Sequence, residues 1–233
     1  MRDLGNKVFN WLNNYCHSRI RQSGNQIIFD NQDFEWVNTI ESDWQIIRAE
    51  FESIAARIDE IPLFHEISSA QKDISTDEKW KTLTLFVYGN KINSNCEHFP
   101  RTCSILNKIP GMKTAMFSIL LPGKVIPEHT GPYNSFIRYH LPIYVPQKKE
   151  NCFIIVNGEK RFWELGKSLI FDDTYPHEVQ NNTAEMRVVL FVDFKRPQSF
   201  PFSLIINLFT WLIKRSDTAR EGVINSNRLS LKL

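Results

Sequence analysis

Several features are missing from this 233-residue chain, and each gap argues against a class of protein. The four cysteines, Cys16, Cys96, Cys103 and Cys152, form no Cys-x-x-Cys pair, which argues against a zinc ribbon. Cys96 and Cys103 could close a short bridged loop in an oxidising compartment; in a reducing one they are two partly buried thiols, the reading favoured here. No stretch reaches the roughly 18 apolar residues that span a bilayer. The opening MRDLGNKVFNWLNNYC has no long apolar run and no small-residue cleavage site, so it does not read as a signal peptide. A cytoplasmic location is therefore expected. No basic run resembles a nucleic-acid footprint, and a net charge of +2 favours no polyanionic partner. There is no internal repeat and no low-complexity segment.

What remains is ordinary globular composition, with 42% hydrophobic and 23% charged residues. The length suits one full domain plus extensions, and the 17 phenylalanines favour a β-rich aromatic core. Residues 6–20 read as a short amphipathic helix with Val8, Phe9, Leu12 and Cys16 near one face. Residues 36–60 read as one helix, since Trp36, Ile40, Trp44, Ile47 and Phe51 recur at helical spacing and Pro62 follows. From Trp80 the period changes to alternation. Strands are expected over 80–89, 114–121, 136–145, 152–157, 160–164, 168–171, 177–181 and 186–194, separated by tight turns. Residues 90–112 read as irregular, and the polar stretch from Ser216 as poorly ordered. The pattern predicts a helical region over 1–78 packing on a β domain over 79–197. An apolar helix and polar tail over 198–233 would follow. A mainly β sandwich, barrel or jelly roll with flanking helices is the expected class.

The chemistry concentrates in one stretch. His129 stands in PEHTGPYN, at a strand-to-loop junction, and His177 opens a strand in DDTYPHEVQ. Two neutral imidazoles on a rigid β scaffold suit a borderline divalent metal such as Fe(II). Ten residues beyond His177, Arg187 interrupts the apolar strand MRVVLFVDF, sharing a face with Val189 and Phe191. A buried charge there is costly unless paired, and an arginine grips a carboxylate with two parallel hydrogen bonds. A metal beside an arginine-held carboxylate suggests a 2-oxoglutarate-dependent oxygenase. Arg138 and His140 share a face of SFIRYHLPI, and Ser118 in MFSILLP adds a hydroxyl. The plainer readings are a satisfied imidazole for each histidine, a solvated head for each arginine and a surface hydroxyl for Ser118. The position that would complete a His-x-Asp pair is Gly131. Asp172 and Asp173 read as a turn device or as partners of a histidine N–H, not as ligands. Glu128 points away from its neighbour His129 on an extended chain.

PGKVIPEHTGPYN, RYHL, NGEKRFWELGKSLIFDDTYPHEVQN and the strand with Arg187 together resemble the aspartyl/asparaginyl β-hydroxylases, over about residues 80–197. The resemblance implies a double-stranded β-helix, the cupin-like jelly roll, and Fe(II)/2-oxoglutarate chemistry with O2 as cosubstrate. It implies that His129 and His177 ligate the iron and are the catalytic pair. Ser118 and Arg187 would hold the distal carboxylate of 2-oxoglutarate, with Arg138 and His140 near its chelating end. The family typically lacks the third, carboxylate ligand, so Gly131 fits the pattern.

The acceptor is less legible. The leading expectation is the β-carbon of Asp or Asn in a peptide or protein. The alternative is a lipid A acyl chain or another small molecule at a membrane surface, and a non-catalytic cupin-like binding module is a third reading. The apolar FPFSLIINLFTWLIKR, residues 200–215, bears on this choice. Leu204, Leu208, Trp211 and Leu212 could line one helical face suited to peripheral membrane contact, to packing on the barrel or to a dimer, so the oligomeric state is open.

Overall fold

The structure, a computed structural model, describes residues 2–22 and 26–231. Its strands are β1 (Ile28–Phe29), β2 (Trp80–Val87), β3 (Asn90–Lys91), β4 (Met112–Leu120), β5 (Lys124–His129) and β6 (Phe136–Tyr144). They continue as β7 (Cys152–Val156), β8 (Glu159–Phe162), β9 (Leu169–Phe171), β10 (His177–Asn181) and β11 (Arg187–Lys195). The helices are α1 (Arg2–Gln22), α2 (Val37–Ser42), α3 (Trp44–Glu52), α4 (Phe64–Ile67), α5 (Asn93–Cys96), α6 (Pro100–Leu106), α7 (Phe202–Lys214) and α8 (Asp217–Arg228).

Seven strands form one antiparallel sheet in the order β1-β9-β6-β11-β4-β2-β3, and four form a second in the order β5-β10-β7-β8. Between β4 and β11, β4, β6, β9 and β11 belong to the first sheet and β5, β7, β8 and β10 to the second: β4 pairs with β11, β5 with β10, β6 with both β11 and β9, and β7 with both β10 and β8. That nested pairing is a double-stranded β-helix, the expected jelly roll.

Alternation along the central strands separates two cores. Ala115, Phe117, Ile119, Ile137, Tyr139, Leu141, Val188, Leu190, Val192 and Phe194 face the helices. Met116, Leu120, Val189 and Phe191 face the barrel interior, with Trp163, Ile154 and Phe171. On the helix side, α2 and α3 bury Ile40, Ile47 and Phe51 completely. Each such side chain contributes about 1.5–3 kcal/mol on burial. Phe51 meets Phe117 at 5.1 Å between ring centroids, and Trp36 meets Tyr139 at 5.2 Å and Phe194 at 5.1 Å.

Four expectations are corrected. The single helix over 36–60 is three pieces. Asp43 (φ −92°, ψ 3°) separates α2 from α3, its carboxylate held by Lys108 at 2.9 Å. Beyond α3 the Ser53 hydroxyl donates to the Glu50 carbonyl at 2.6 Å, in competition with the helical ladder, and a 3-10 segment covers Ala55–Glu60. Residues 90–112 contain α5 and α6. Pro100 opens α6, and the Glu50 carboxylate of α3 accepts from the Arg101 and Thr102 N–H groups at 2.8 and 2.7 Å, an acidic cap from another helix. A strand, β5, lies between 121 and 136, where the prolines read as turns. Pro127 is tolerated because β5 is a sheet edge. The tail folds into α8, which Ser216 caps by accepting from the Ala219 N–H at 3.2 Å. Gly222 lets it approach the sheet, since a Cβ there would lie 3.1 Å from Val87.

Gly166, at φ +71°, holds a turn against α3: a Cβ there would sit 2.8 Å from the Trp44 ring. Gly166→Ala is expected to destabilise the fold by about 1–3 kcal/mol in chemical denaturation. A midpoint equal to wild type would show that α3 does not depend on this contact.

Candidate active site

β5 and β10 are antiparallel neighbours, and their register places His177 directly opposite His129. The imidazole centroids are 4.1 Å apart. Each ring is oriented by its own backbone: His129 Nδ1 is 2.8 Å from the Pro127 carbonyl, and His177 Nδ1 is 2.9 Å from that of Tyr175. A carbonyl can only accept, so each Nδ1 carries the proton and each Nε2 keeps its lone pair. Burial, and then the His129 ring beside it, push His177 down to about 3; burial also lowers His129. Both rings are therefore neutral donors at neutral pH. Paired neutral imidazoles with oriented Nε2 lone pairs fit a borderline metal such as Fe(II). Among the described residues no group of three or more His, Cys, Asp or Glu stands where it could hold a metal ion.

The space a third ligand would need is already filled. A Cβ on Gly131 would collide with the Asp173 carboxylate, whose Oδ2 lies 1.9 Å from the Cβ position. The Gly131 N–H donates to the Asp173 carbonyl at 2.7 Å, which closes the two loops on each other. Asp173 directs its carboxylate to Arg138 at 2.8 Å, and Asp193 grips the same guanidinium at 3.0 Å. Burial pushes the Asp173 carboxyl up to about 7 despite Arg138. The expected histidine partner role of the DD pair is thus corrected. Both ring N–H groups go to backbone carbonyls; Asp172 is the turn device, accepting from the Thr174 N–H and hydroxyl at 3.1 and 2.6 Å and pairing with Arg196 at 2.6 Å. Asp193 escaped the sequence reading. Its signal was there: it shares a strand face with Arg187, and strand register sets it opposite Arg138.

Deeper in the barrel, Arg187 is 2% exposed on a central strand, not solvated at an edge. It donates to the Ser118 carbonyl at 3.3 Å and lies over the Trp163 ring at 4.5 Å. Its Nε has no partner, and burial lowers its pKa to about 10. Ser118 accepts from Trp80 Nε1 at 3.0 Å, which leaves its own O–H free to donate. His140 Nδ1 accepts from Trp163 Nε1 at 3.4 Å, so its proton sits on Nε2, and that buried N–H also lacks an acceptor. A buried guanidinium without a counter-ion and an orphaned imidazole N–H fit an anionic ligand.

A cavity of about 330 Å³ reaches the site from outside. It touches His129 and Arg138 but not Ser118, His140, His177 or Arg187, which are packed inside the barrel. Its wall is largely aromatic and aliphatic, including Trp80, Met116, Tyr133, Phe136 and Phe191, with Thr218, Glu221 and Gly222 of α8 on one side.

This jelly roll, with two apposed imidazoles and a buried arginine, belongs to a class of hydroxylases. The chain belongs to the aspartyl/asparaginyl β-hydroxylase family, whose model matches residues 41–197. It is 44% identical over 197 residues to an ornithine lipid ester-linked acyl 2-hydroxylase of Rhizobium tropici, covering 82% of this chain and 70% of that one. It is 33% identical over 172 residues to human aspartyl/asparaginyl beta-hydroxylase, covering 72% of this chain and 22% of that protein. Among solved structures, the cupin 2 domain of an XRE family transcriptional regulator from Enterobacter cloacae overlaps 52% of this chain and all of its own, at 16% identity and a TM-score of 0.36.

Introducing a ligand carboxylate is expected to fail here. Gly131→Asp should lower stability by at least about 1–3 kcal/mol through overpacking against Asp173, and Gly131→Asp/Asp173→Gly should recover part of the loss. A single variant that melts like wild type would contradict the geometry.

Proposed function

We propose that the protein is an Fe(II)- and 2-oxoglutarate-dependent hydroxylase that acts on an acyl chain of a lipid. His129 and His177 hold the iron through Nε2. Arg187 and the Ser118 hydroxyl would receive the distal carboxylate of 2-oxoglutarate, and the His140 N–H would face its chelating end. Arg138, already neutralised by Asp173 and Asp193, shapes the chelating end and adds no free positive charge. With iron and cosubstrate bound, oxidative decarboxylation of 2-oxoglutarate by O2 supplies the oxidising power that hydroxylates a C–H bond. The chain's part is to orient the reactants, keep both imidazoles neutral and exclude water from the barrel interior.

The cavity beside His129 carries the choice of acceptor. Its wall is mainly apolar, and its one arginine is paired to two carboxylates, so no cation there is free to grip the side chain of an aspartate. An acyl chain buries well against such a wall. The likeness to the Rhizobium tropici acyl hydroxylase supports the same reading. Asp/Asn β-hydroxylation, the leading expectation from sequence, stands as the competing reading on the 33% identity to the human enzyme.

The test is succinate production with an ester-linked acyl lipid against an Asp-containing peptide. Turnover on the lipid alone is expected; turnover on the peptide alone would overturn the acceptor. His177→Ala should abolish turnover on either, and unchanged turnover would sink the iron assignment. Arg187→Met separates binding from stability. Removing a buried, unpaired charge should stabilise the protein without ligands by about 1–3 kcal/mol. Saturating 2-oxoglutarate with Fe(II), excluding O2, should raise the wild-type melting temperature but not the variant's. Equal shifts would remove Arg187 from the cosubstrate site.

A further inference from the structure

Among the described residues, five of the nine exposed large apolar side chains belong to α7, its approach and α1. Leu204, Leu208 and Trp211 follow one another at helical spacing along the outer face of α7, and all are at least half exposed. Phe200 at the start of this segment and Trp11 on α1 are more exposed still. An aromatic chain joins the two helices: Trp11 stacks on Tyr15 at 5.6 Å, and Tyr15 meets Phe202 edge-on at 6.2 Å. The inner face of α7 is committed to packing, with Ile206, Phe209 and Ile213 buried against α1. Cores inside and bare apolar groups outside make α7 hydrophobic on both sides, which is unusual for a helix facing water.

Cations border this face. Lys214 reaches the Gly89 carbonyl at 3.2 Å, Lys195 bonds Asn207 of α7 at 2.8 Å, and Arg215 lies over the Trp211 ring at 3.8 Å. Lys113 stands close enough to Lys195 and Lys214 for their charges to lower its pKa, after burial. α7 carries no acidic residue. The same helix backs the cavity wall: Phe209 meets Tyr133 at 6.0 Å, and Tyr133 and Phe136 line the cavity.

We infer that the outer face of α7, with Trp11 of α1, docks on an anionic lipid bilayer and sets the cavity beside the leaflet. α7 lies on the surface. Its 13 residues span about 20 Å, short of a hydrocarbon core of about 30 Å, and no described helix is long and apolar enough to cross. Leucine and tryptophan enter the headgroup boundary, while Lys195, Lys214 and Arg215 meet phosphates. The inference extends the acyl-chain reading, and its test measures binding without turnover, so either can fail alone.

The experiment is flotation of the full chain with vesicles of phosphatidylcholine, alone or mixed with phosphatidylglycerol. Wild type is expected to float with the mixed vesicles and far less with the neutral ones. Leu208→Glu/Trp211→Glu, which alters only exposed side chains, should lose flotation while keeping the wild-type melting temperature and its turnover of detergent-dispersed substrate. Lys214→Glu/Arg215→Glu should weaken binding to the mixed vesicles by roughly tenfold or more. Absent wild-type flotation, or flotation unchanged in Leu208→Glu/Trp211→Glu, would overturn the inference. So would a dimer in sedimentation that Trp211→Glu dissolves, which would assign the face to a second copy of the chain. A wild type that floats yet hydroxylates no acyl lipid would uphold the docking and refute the substrate.

Discussion

The structure depends on the pairing of β11 between β4 and β6. These three strands are buried on both faces, and each residue is committed by parity to one side. One set builds the helix-facing core around Phe117, Tyr139 and Phe194. The other set delivers Ser118, Arg138, His140, Arg187 and Asp193 to the barrel. A slip of one residue would drive guanidinium groups into the phenylalanine core and turn the phenylalanines into the site. The hydrophobic effect therefore fixes the polar constellation: many apolar contacts on one face hold the register that a few charged groups on the other require.

The two arginines of this constellation are treated in opposite ways. Arg138 is shared by Asp173 and Asp193 and rests over Phe191 at 4.2 Å. Arg187 receives a carbonyl and an indole face, neither of which cancels its charge. A protein interior penalises the second arrangement heavily unless a counterion arrives from outside. The difference in pairing separates a cation that organises the protein from one that the proposed function reserves for a ligand. In the proposed function, an anion bound at Arg187 would recover the stability given up there.

Much of this was legible in the chain and some was not, for physical reasons. Strand alternation placed Arg187 with Val189 and Phe191 and Arg138 with His140, because period two is set by the backbone alone. β5 was hidden by Pro127, which marks a turn in most contexts and is permitted at an edge that only the full topology defines. The helix over 36–60 was overextended because its apolar spacing continues through Asp43, where an ion pair with Lys108 from distant sequence breaks it. The two histidines and the glycine between their loops were readable from motif and spacing. The carboxylate that fills the glycine's place was not, since the contact of Gly131 with Asp173 joins segments about forty residues apart and leaves no local trace.

The wall of the cavity comes partly from α8, beyond the residue 197 where the family match ends. His129, His177, Ser118 and Arg187, which the proposed function gives to iron and cosubstrate, lie inside the matched region. In the proposed function the chemistry and one side of the acceptor wall would thus be encoded in different stretches of one chain, which meet where Gly222 approaches Val87, Asn225 donates to the Ile67 carbonyl and the Leu231 N–H donates to the Asn95 side chain. On that reading, changes in α8 would reshape one side of the acceptor cavity without touching the residues assigned to iron and cosubstrate. One relative named for aspartyl/asparaginyl β-hydroxylation and another for lipid acyl 2-hydroxylation are the outcome such a division of labour would allow.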